Sequence, residues 1–284
     1  MISGTRYHLT TEINRQARLA AEIARAQTQI STGKRLQAPS DDPVAAAQIS
    51  QIGRTQAEEA TWSRNLDVAG ALAARADTAL TSVARGLDRA NELMIAAATG
   101  TLSPENRATL ADELKGIAAD LAGLADSRDA RGDMLFRTDA LEIPVYNGGT
   151  VTPVASRTAL FDSVSTAAGI RDIASILADA AAAIVEPVDA TRKAATDTSL
   201  AEVGAALAHI TAARGDQGVR ASRIDALQER LADSKMQLEE QRSGLESTDI
   251  TEAVARLGAK DLSLKAAQAV FARINQTSLF DILR

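Results

Sequence analysis

The most regular feature of the sequence is a stripe of apolar residues that recur every three or four positions, as in the seam of a coiled coil. The stripe consists of Trp62, Leu66, Ala69, Ala73, Ala76, Leu80, Val83, Leu87, Ala90, Met94 and Ala97. It predicts one helix from Pro43 to about Thr99, roughly 85 Å long at about 1.5 Å per residue. Because so long a helix is not stable alone in water, it needs other helices beside it.

Two further long helical patterns are present. One begins at Ser103, Pro104 and Glu105, an order that caps a helix, suits its first position and complements its dipole. Its apolar stripe is Leu110, Leu114, Ile117, Leu121 and Leu124. The other begins near Leu200 and carries Val203, Leu207, Ile210, Ile224, Leu227, Leu231, Leu238 and Leu245. Gly215 and Gly218 interrupt it, so we expect a weak or shifted helical turn there.

Both ends of the chain carry one apolar seam with a seven-residue repeat. The N-terminal seam consists of Ile2, Leu9, Ile23 and Ile30, with Gln16 at the remaining position. The C-terminal seam consists of Ile250, Leu257, Leu264 and Phe271, flanked by Val254, Val270 and Ile274. Each segment is too short and too poor in aromatic residues to bury its seam alone. We therefore expect the seams to be assembly contacts.

Only the middle of the chain departs from helical periodicity. From Asp133 to about Ser165 it is rich in β-branched residues, and Asn147-Gly148-Gly149 predicts a hairpin turn between EIPVY and TVTPV. A short helix is predicted from Gly169 to Val185, and Pro187 ends it.

A joint is predicted between the N-terminal helix and the long inner helix. It consists of Gly33, Lys34, Arg35, Pro39, Ser40, Asp41, Asp42 and Pro43. Gly33 ends the first helix, and Lys34 and Arg35 suit its carboxyl end. Asp42 suits the N-cap of the next helix, with Pro43 as its first residue. Paired aspartates can also bind a cation, but no third ligand is near them in the sequence, so we favour capping.

These patterns predict a mainly α fold: an elongated rod of long antiparallel helices, with coiled-coil-like terminal helices and a small β-containing central insertion. Residues 1–40 and 247–284 are predicted to form the terminal coiled-coil segment. Residues 41–132 and 190–246 are predicted to form a helical rod domain, and residues 133–189 a small central outer domain with a β-hairpin.

The composition argues against catalysis, metal binding and nucleic-acid binding. The 284 residues contain no cysteine, and the net charge of −6 comes from interspersed acids and bases, which disfavours a nucleic-acid partner. His8 and His209 are far apart in the sequence, and no glycine-rich phosphate loop occurs. We therefore predict no enzyme, no metal and no cofactor. Neither a cleavable signal nor a segment that inserts into a membrane is expected.

The tripeptide Arg-Gly-Asp, known from cell-adhesion proteins, occurs twice, at residues 131–133 and 214–216. The first copy lies at a predicted helix end and the second within a helical pattern. Glycine and a charge pair have ordinary structural reasons at such places. We therefore favour a structural interpretation of both copies.

Several motifs resemble one family. The stretch from Ser31 to Ala46, STGKRLQAPSDDPVAA, resembles the N-terminal signature of flagellin-like axial proteins, and Pro43 after the paired aspartates is more similar to the hook-associated members than to flagellins. GDMLF at residues 132–136, SGLESTDITEA at 243–253 and the final SLFDILR resemble further family motifs. The last of these adds Leu279, Phe280 and Leu283 to the expected assembly contacts.

The resemblance implies a structural subunit of the bacterial flagellum, secreted and extracellular, that joins the hook region to the filament. It implies a homo-oligomer in a ring or helical assembly, next to a neighbouring hook-associated protein and flagellin. It also implies type III export and a flagellar export chaperone bound to the C-terminal helix. Two alternatives remain open: a flagellin of the bulk filament, and a cytoplasmic coiled-coil scaffold unrelated to motility.

Overall fold

The structure, a computed structural model, describes the backbone of residues 2–99 and 102–281 and the side chains of residues 10–99 and 102–273. It contains two compact units. The first consists of Met1–Ala57 and Ser234–Arg284, and the second of Glu58–Asp233. The predicted three-part division, with boundaries near residues 40, 132, 189 and 246, is a different partition and stays a prediction.

The fold is mainly α, as predicted, with short β-hairpins in the middle of the chain. In chain order the elements are α1 (Ile2–Thr32), α2 (Pro43–Ala98), α3 (Pro104–Ala125), β1 (Ile143–Tyr146), β2 (Gly149–Val151), α4 (Arg157–Phe161), β3 (Val164–Thr166), β4 (Gly169–Arg171), α5 (Ile173–Val185), α6 (Asp189–Glu246) and α7 (Ile250–Asp281).

The apolar stripe of α2 forms the centre of the second unit. Its residues from Leu66 to Met94 are buried, while Trp62 and Ala97 at its ends are half-buried. Many of these residues are alanines, so neighbouring helices can pack close to α2. The contact with α3 is an extreme case, because a Cβ added at Gly86 would lie 2.9 Å from Leu121 Cδ2. The seam is thus a packed core in which alanines are interspersed with leucine, valine and methionine side chains.

Helix α6 corrects the expectation of a weak turn at Gly215 and Gly218. The helix runs without interruption from Asp189 to Glu246. Gln217, only 2% exposed, occupies the seven-residue position between Ile210 and Ile224. Its amide nitrogen donates to the carbonyl oxygens of Ala73, at 3.3 Å, and Pro153, at 2.8 Å. The seam of α6 therefore continues through a polar residue, which a search for apolar positions passes over.

The predicted hairpin at residues 143–151 is present. β1 and β2 pair antiparallel, and Gly148 takes φ 75° in the turn. Ile143, Val145 and Val151 point inward and pack with Leu66 and Ile224 of the long helices. One face of the hairpin is therefore part of the core of the second unit.

Three features of the central region were not predicted. Helix α4 carries Phe161, whose ring meets that of Phe136 edge to face at a centroid distance of 5.2 Å. β3 and β4 form a second hairpin. Because Gly169 to Arg171 pair as β4 and Asp172 caps the following helix, α5 begins at Ile173 rather than at the predicted Gly169.

Polar side chains of α2 and α6 hold the backbone of the central region. Asn65 of α2 donates to the Pro144 carbonyl oxygen at 2.8 Å. From α6, Gln217 donates to the Pro153 carbonyl oxygen at 2.8 Å and Arg220 to the Thr152 carbonyl oxygen at 3.3 Å. His209 Nε2, also on α6, lies 3.0 Å from the Ala159 carbonyl oxygen. These bonds satisfy carbonyl groups that the short strands and turns leave unpaired. His209 therefore has a structural contact.

In the first unit, α1 and α7 are antiparallel. Gly33 follows the last residue of α1, and Thr248 lies just before the first residue of α7. The Thr248 amide donates to the Gly33 carbonyl oxygen at 2.9 Å. Further along both helices, Lys260 Nζ lies 2.6 Å from Glu22 Oε2. The two ends of the chain are therefore partners of each other, in the register that these contacts define.

The buried amide of Gln217 generates a stability prediction. In Gln217→Leu, the carbonyl of Pro153 loses its donor, so we expect the free energy of unfolding to fall by about 1–3 kcal/mol, measured by urea denaturation of the full chain. Gln228→Leu is the matched control on the same helix, because Gln228 makes only a 3.4 Å bond to the exposed Asp67. It should stay within about 0.5 kcal/mol of the parent. Equal losses in both variants would contradict this account of Gln217.

Candidate assembly site at the linkers and terminal helices

Two linkers meet at the joint: residues 33–42 between α1 and α2, and residues 247–249 between α6 and α7. Lys34 and Ser247 pair as an isolated antiparallel bridge. The Arg35 amide donates to the Glu246 carbonyl at 2.7 Å, and the Thr248 amide to the Gly33 carbonyl at 2.9 Å. Gly33 takes φ 68°, a conformation that a side chain disfavours. The prediction that Gly33 ends the first helix is confirmed.

The two aspartates have separate roles. Asp42 Oδ1 accepts from the Ala45 amide at 3.0 Å and caps α2, as predicted. Asp41 Oδ2 accepts from the amides of Gln37 and Ala38 at 3.0 and 2.9 Å, inside the linker. The Asp41 amide donates to the Ala38 carbonyl at 3.0 Å. That bond closes a turn with Pro39 and Ser40 at its centre, and Pro43 is the first residue of α2.

Charged side chains connect the joint to α6. The Glu246 carboxylate forms two ion pairs: its Oε1 lies 2.8 Å from Arg242 Nε, and its Oε2 lies 3.2 Å from Lys34 Nζ. Arg35 lies 3.3 Å from Asp42 Oδ2 and also donates to the Leu245 carbonyl at 3.2 Å. Both basic residues of the joint motif therefore have defined acceptors, rather than acting only through the dipole of α1.

These contacts lower the pKa of all three carboxylates. The amides of Ala38 and Gln37 lower the pKa of Asp41. The Ala45 amide is the main cause for Asp42, with a smaller effect of Arg35. For Glu246 the main cause is the hydrogen bond from Arg242, followed by Lys34. The joint is therefore stabilised by carboxylates in their charged form.

The C-terminal linker ends in the same way as the N-terminal one. Asp249 Oδ1 accepts from the Glu252 amide at 3.1 Å and caps α7. One residue later Ala253 is almost fully buried. Both linkers thus end in an aspartate that caps the next helix, which fixes where α2 and α7 begin.

The terminal helices bury only part of the predicted seams. Gln16, Ile23 and Ile30 of α1 and Leu257, Leu264 and Phe271 of α7 are half-buried. Leu19 and Ala26 on α1 and Ala253 on α7 share these faces, and the sequence interpretation missed them. A three-four spacing that runs Gln16, Leu19, Ile23, Ala26 and Ile30 was the available signal. The predicted contacts Ile2, Leu9, Ile274, Leu279, Phe280 and Leu283 lie outside the described side chains.

A second set of apolar residues on the terminal helices is exposed to solvent. The predicted contacts Ile250 and Val254 belong to it, and so do Ile13, Leu262 and Val270. Leu262 is 70% exposed. Among the described residues, these five side chains stay more than half exposed, whereas the half-buried face of α7 packs on α1. The terminal pair therefore still has apolar surface to bury against another molecule.

Among the described residues, no three His, Asp or Glu side chains are grouped so that they could hold a metal ion. The helices that the structure describes include none with the length and apolar character needed to cross a bilayer.

Family comparisons agree with this arrangement. Residues 8–139 match the N-terminal helical region of bacterial flagellin, and residues 200–283 match its C-terminal helical region. Together the two ranges cover more than half of the chain and include both linkers. The chain is thus a flagellin-like axial protein and belongs to the bacterial flagellin family.

Individual relatives are more specific. Flagellar hook-associated protein 3 of Salmonella typhimurium is 26% identical over 93% of this chain and 94% of its own length. The protein of the same name from Escherichia coli K12 is 26% identical over 92% and 93%. Both likenesses extend over nearly the whole of each chain.

Solved structures support the fold. A putative flagellar hook-associated protein from Vibrio parahaemolyticus superposes with a TM-score of 0.65 at 18% identity, covering 73% of this chain and all of that one. The flagellar junction protein FlgL from Legionella pneumophila gives a TM-score of 0.57 at 15% identity, covering 70% of this chain and all of that one.

The lowered pKa of Asp42 generates a pH prediction. A folded-state pKa below the unfolded value stabilises the fold at neutral pH, and this contribution disappears as pH falls from about 4 through the lowered value. Asp42→Asn keeps a capping side chain but has no charge to lose. We therefore expect the variant to melt below the parent at pH 7, and the gap between the two melting temperatures to narrow as the pH falls below about 4.

Melting followed by circular dichroism measures both temperatures. Asp112→Asn is the control, since Asp112 pairs only with Lys115 on the same exposed helix face. That variant should melt with the parent at pH 7. A gap between Asp42→Asn and the parent that stays constant from pH 7 to pH 3 would contradict a role for the Asp42 charge.

Proposed function

We propose that this chain is the structural subunit that joins the hook region of the flagellum to the filament. Membership of the flagellin family supports a structural role in the flagellum. The whole-length likeness to two proteins named hook-associated protein 3 supports the junction in particular. In this role the chain is not an enzyme and uses no cofactor.

The observation that carries the proposal is the terminal helix pair. α1 and α7 bury one seam against each other through contacts such as Glu22 with Lys260, and they keep a second apolar set exposed. A subunit whose paired ends still expose Val254, Leu262 and Val270 can stabilise itself further by packing on copies of itself or on a related axial protein. We propose that copies of the chain form a ring or short helical layer in this way.

The partners follow from the same role. A junction subunit contacts a neighbouring hook-associated protein on one side and flagellin on the other. We propose that it leaves the cell by the flagellar type III route and is extracellular once assembled. An export chaperone that covers the exposed apolar residues of α7 before assembly would prevent premature association.

Location in the organelle separates the junction from the bulk filament. Immunogold labelling of intact flagella with an antibody against this chain should mark a single band at the hook end of the filament. Label along the whole filament would contradict the junction and support a flagellin. Retention in the cytoplasm of motile cells, with none in sheared flagella, would support the scaffold alternative.

The seam of α7 generates a second test. Leu264 is half-buried on the face that packs on α1, so Leu264→Asp would place a charge in that contact. We expect the variant to be lost from purified flagella, with the protein recovered from the culture medium by immunoblot. Ser263→Asp is the matched control. The Ser263 side chain, next to Leu264 in the sequence, is exposed, and its hydroxyl donates to the Ala259 carbonyl of the same helix.

Both the cell and medium fractions are needed, since loss of export would imitate loss of assembly. The proposal expects Ser263→Asp in flagella and Leu264→Asp in the medium. Normal incorporation of Leu264→Asp would contradict the claim that the seam between α1 and α7 is needed for assembly. Equal exclusion of both variants would show that any charge on the helix is harmful, and that the seam is not the determinant.

A further inference from the structure

The loop after α3 has a backbone that its own hydrogen bonds hold in place. Asp129 Oδ1 accepts from the amides of Arg131 and Asp133 at 2.8 and 3.0 Å. The Asp129 amide donates to the Asp133 carbonyl at 2.8 Å, and the Gly132 amide donates to the Asp129 carbonyl at 3.2 Å. Arg128 Nη1 adds a 2.7 Å bond to the Gly132 carbonyl. Such a loop keeps one conformation without help from a partner.

The loop presents the first Arg-Gly-Asp sequence. α3 ends at Ala125, so residues 131–133 lie well beyond the helix and not at its end, as the sequence interpretation expected. Arg131, Gly132 and Asp133 are all exposed, and Gly132 takes φ 87°. Within the described residues, no hydrogen bond or ion pair involves the guanidinium of Arg131 or the carboxylate of Asp133. The structural interpretation of this copy therefore explains its glycine and its backbone conformation, but not its two charged side chains.

The second copy has a different environment. Arg214, Gly215 and Asp216 lie inside the continuous helix α6. Arg214 is half-buried, and its Nε atom is inaccessible to solvent. A receptor cannot take up a tripeptide whose backbone is helical and whose arginine is partly enclosed. The chain therefore contains an internal control for the first copy.

We propose that residues 131–133 form a docking loop for a cell-adhesion receptor that binds Arg-Gly-Asp in the presence of a divalent cation. A free carboxylate is a ligand for such a cation, and a free guanidinium fits an acidic pocket with two parallel hydrogen bonds. The held backbone reduces the ordering cost of binding, because the loop is already fixed. This interaction is independent of the role in the flagellum.

Binding of the purified full chain to an immobilised integrin ectodomain that recognises Arg-Gly-Asp peptides tests the proposal. In Mn²⁺ we expect saturable binding that chelation by EDTA abolishes and a free Arg-Gly-Asp peptide competes away. Asp133→Glu keeps the charge but moves the carboxylate, and it leaves the backbone bonds of residue 133 unchanged. It should weaken binding about tenfold or more, the usual loss for one charged contact.

The second copy supplies the matched variant. Asp216→Glu makes the same change within the same tripeptide, on helix α6, and should bind like the parent. All three proteins should melt at the same temperature, which excludes misfolding as the cause of lost binding. Binding that persists in EDTA, that is equally weakened by both variants, or that does not exceed the level of Asp133→Glu would overturn the proposal.

Discussion

Two backbone hydrogen bonds at the joint hold the ends of the chain together. They join Gly33 to Thr248 and Arg35 to Glu246, residues more than 200 positions apart. The linkers end in the caps Asp42 and Asp249, which fix where α2 and α7 begin. The register of α1 on α7 follows from the same point and is continued by Glu22 and Lys260. Closing so long a loop costs chain entropy, which the bonds at the joint and the packing of the helices offset together.

The packing uses small apolar residues where the helices meet and polar residues where the central region must be held. Ala69, Ala73 and Ala76 on α2 are almost completely buried, so partners can approach closely. Gln217 then spans from α6 to two carbonyl groups, one on α2 and one in the central region. A larger apolar residue in its place would leave the Pro153 carbonyl unpaired. One seam thus serves both for helix packing and for positioning the central region.

The long helices and the joint could be predicted from sequence because their signals are local. The α2 stripe, the Ser103 cap and the Asp42 cap each depend on residues within a few positions. The second hairpin and helix α4 could not, because their short strands and single turn are stabilised by distant contacts such as Phe136 with Phe161. The same applies to Gln217, whose acceptors lie 144 and 64 positions away. Residues 131–133 were expected at a helix end, but α3 ends at Ala125, so they lie in the loop that follows it.

A disulfide across the joint tests the pairing of the chain ends most directly. Bridge partners on antiparallel strands have Cα atoms about 4.5–5.5 Å apart, within the range that a disulfide spans. The chain contains no cysteine, so a Lys34→Cys/Ser247→Cys double variant reacts without competition. Mild oxidation of the full chain should close an intramolecular disulfide, seen as faster migration on a non-reducing gel, while Lys34→Cys/Ser263→Cys should stay open. Equal rates for the two pairs, or disulfides only between chains, would contradict a joint that is formed within each chain.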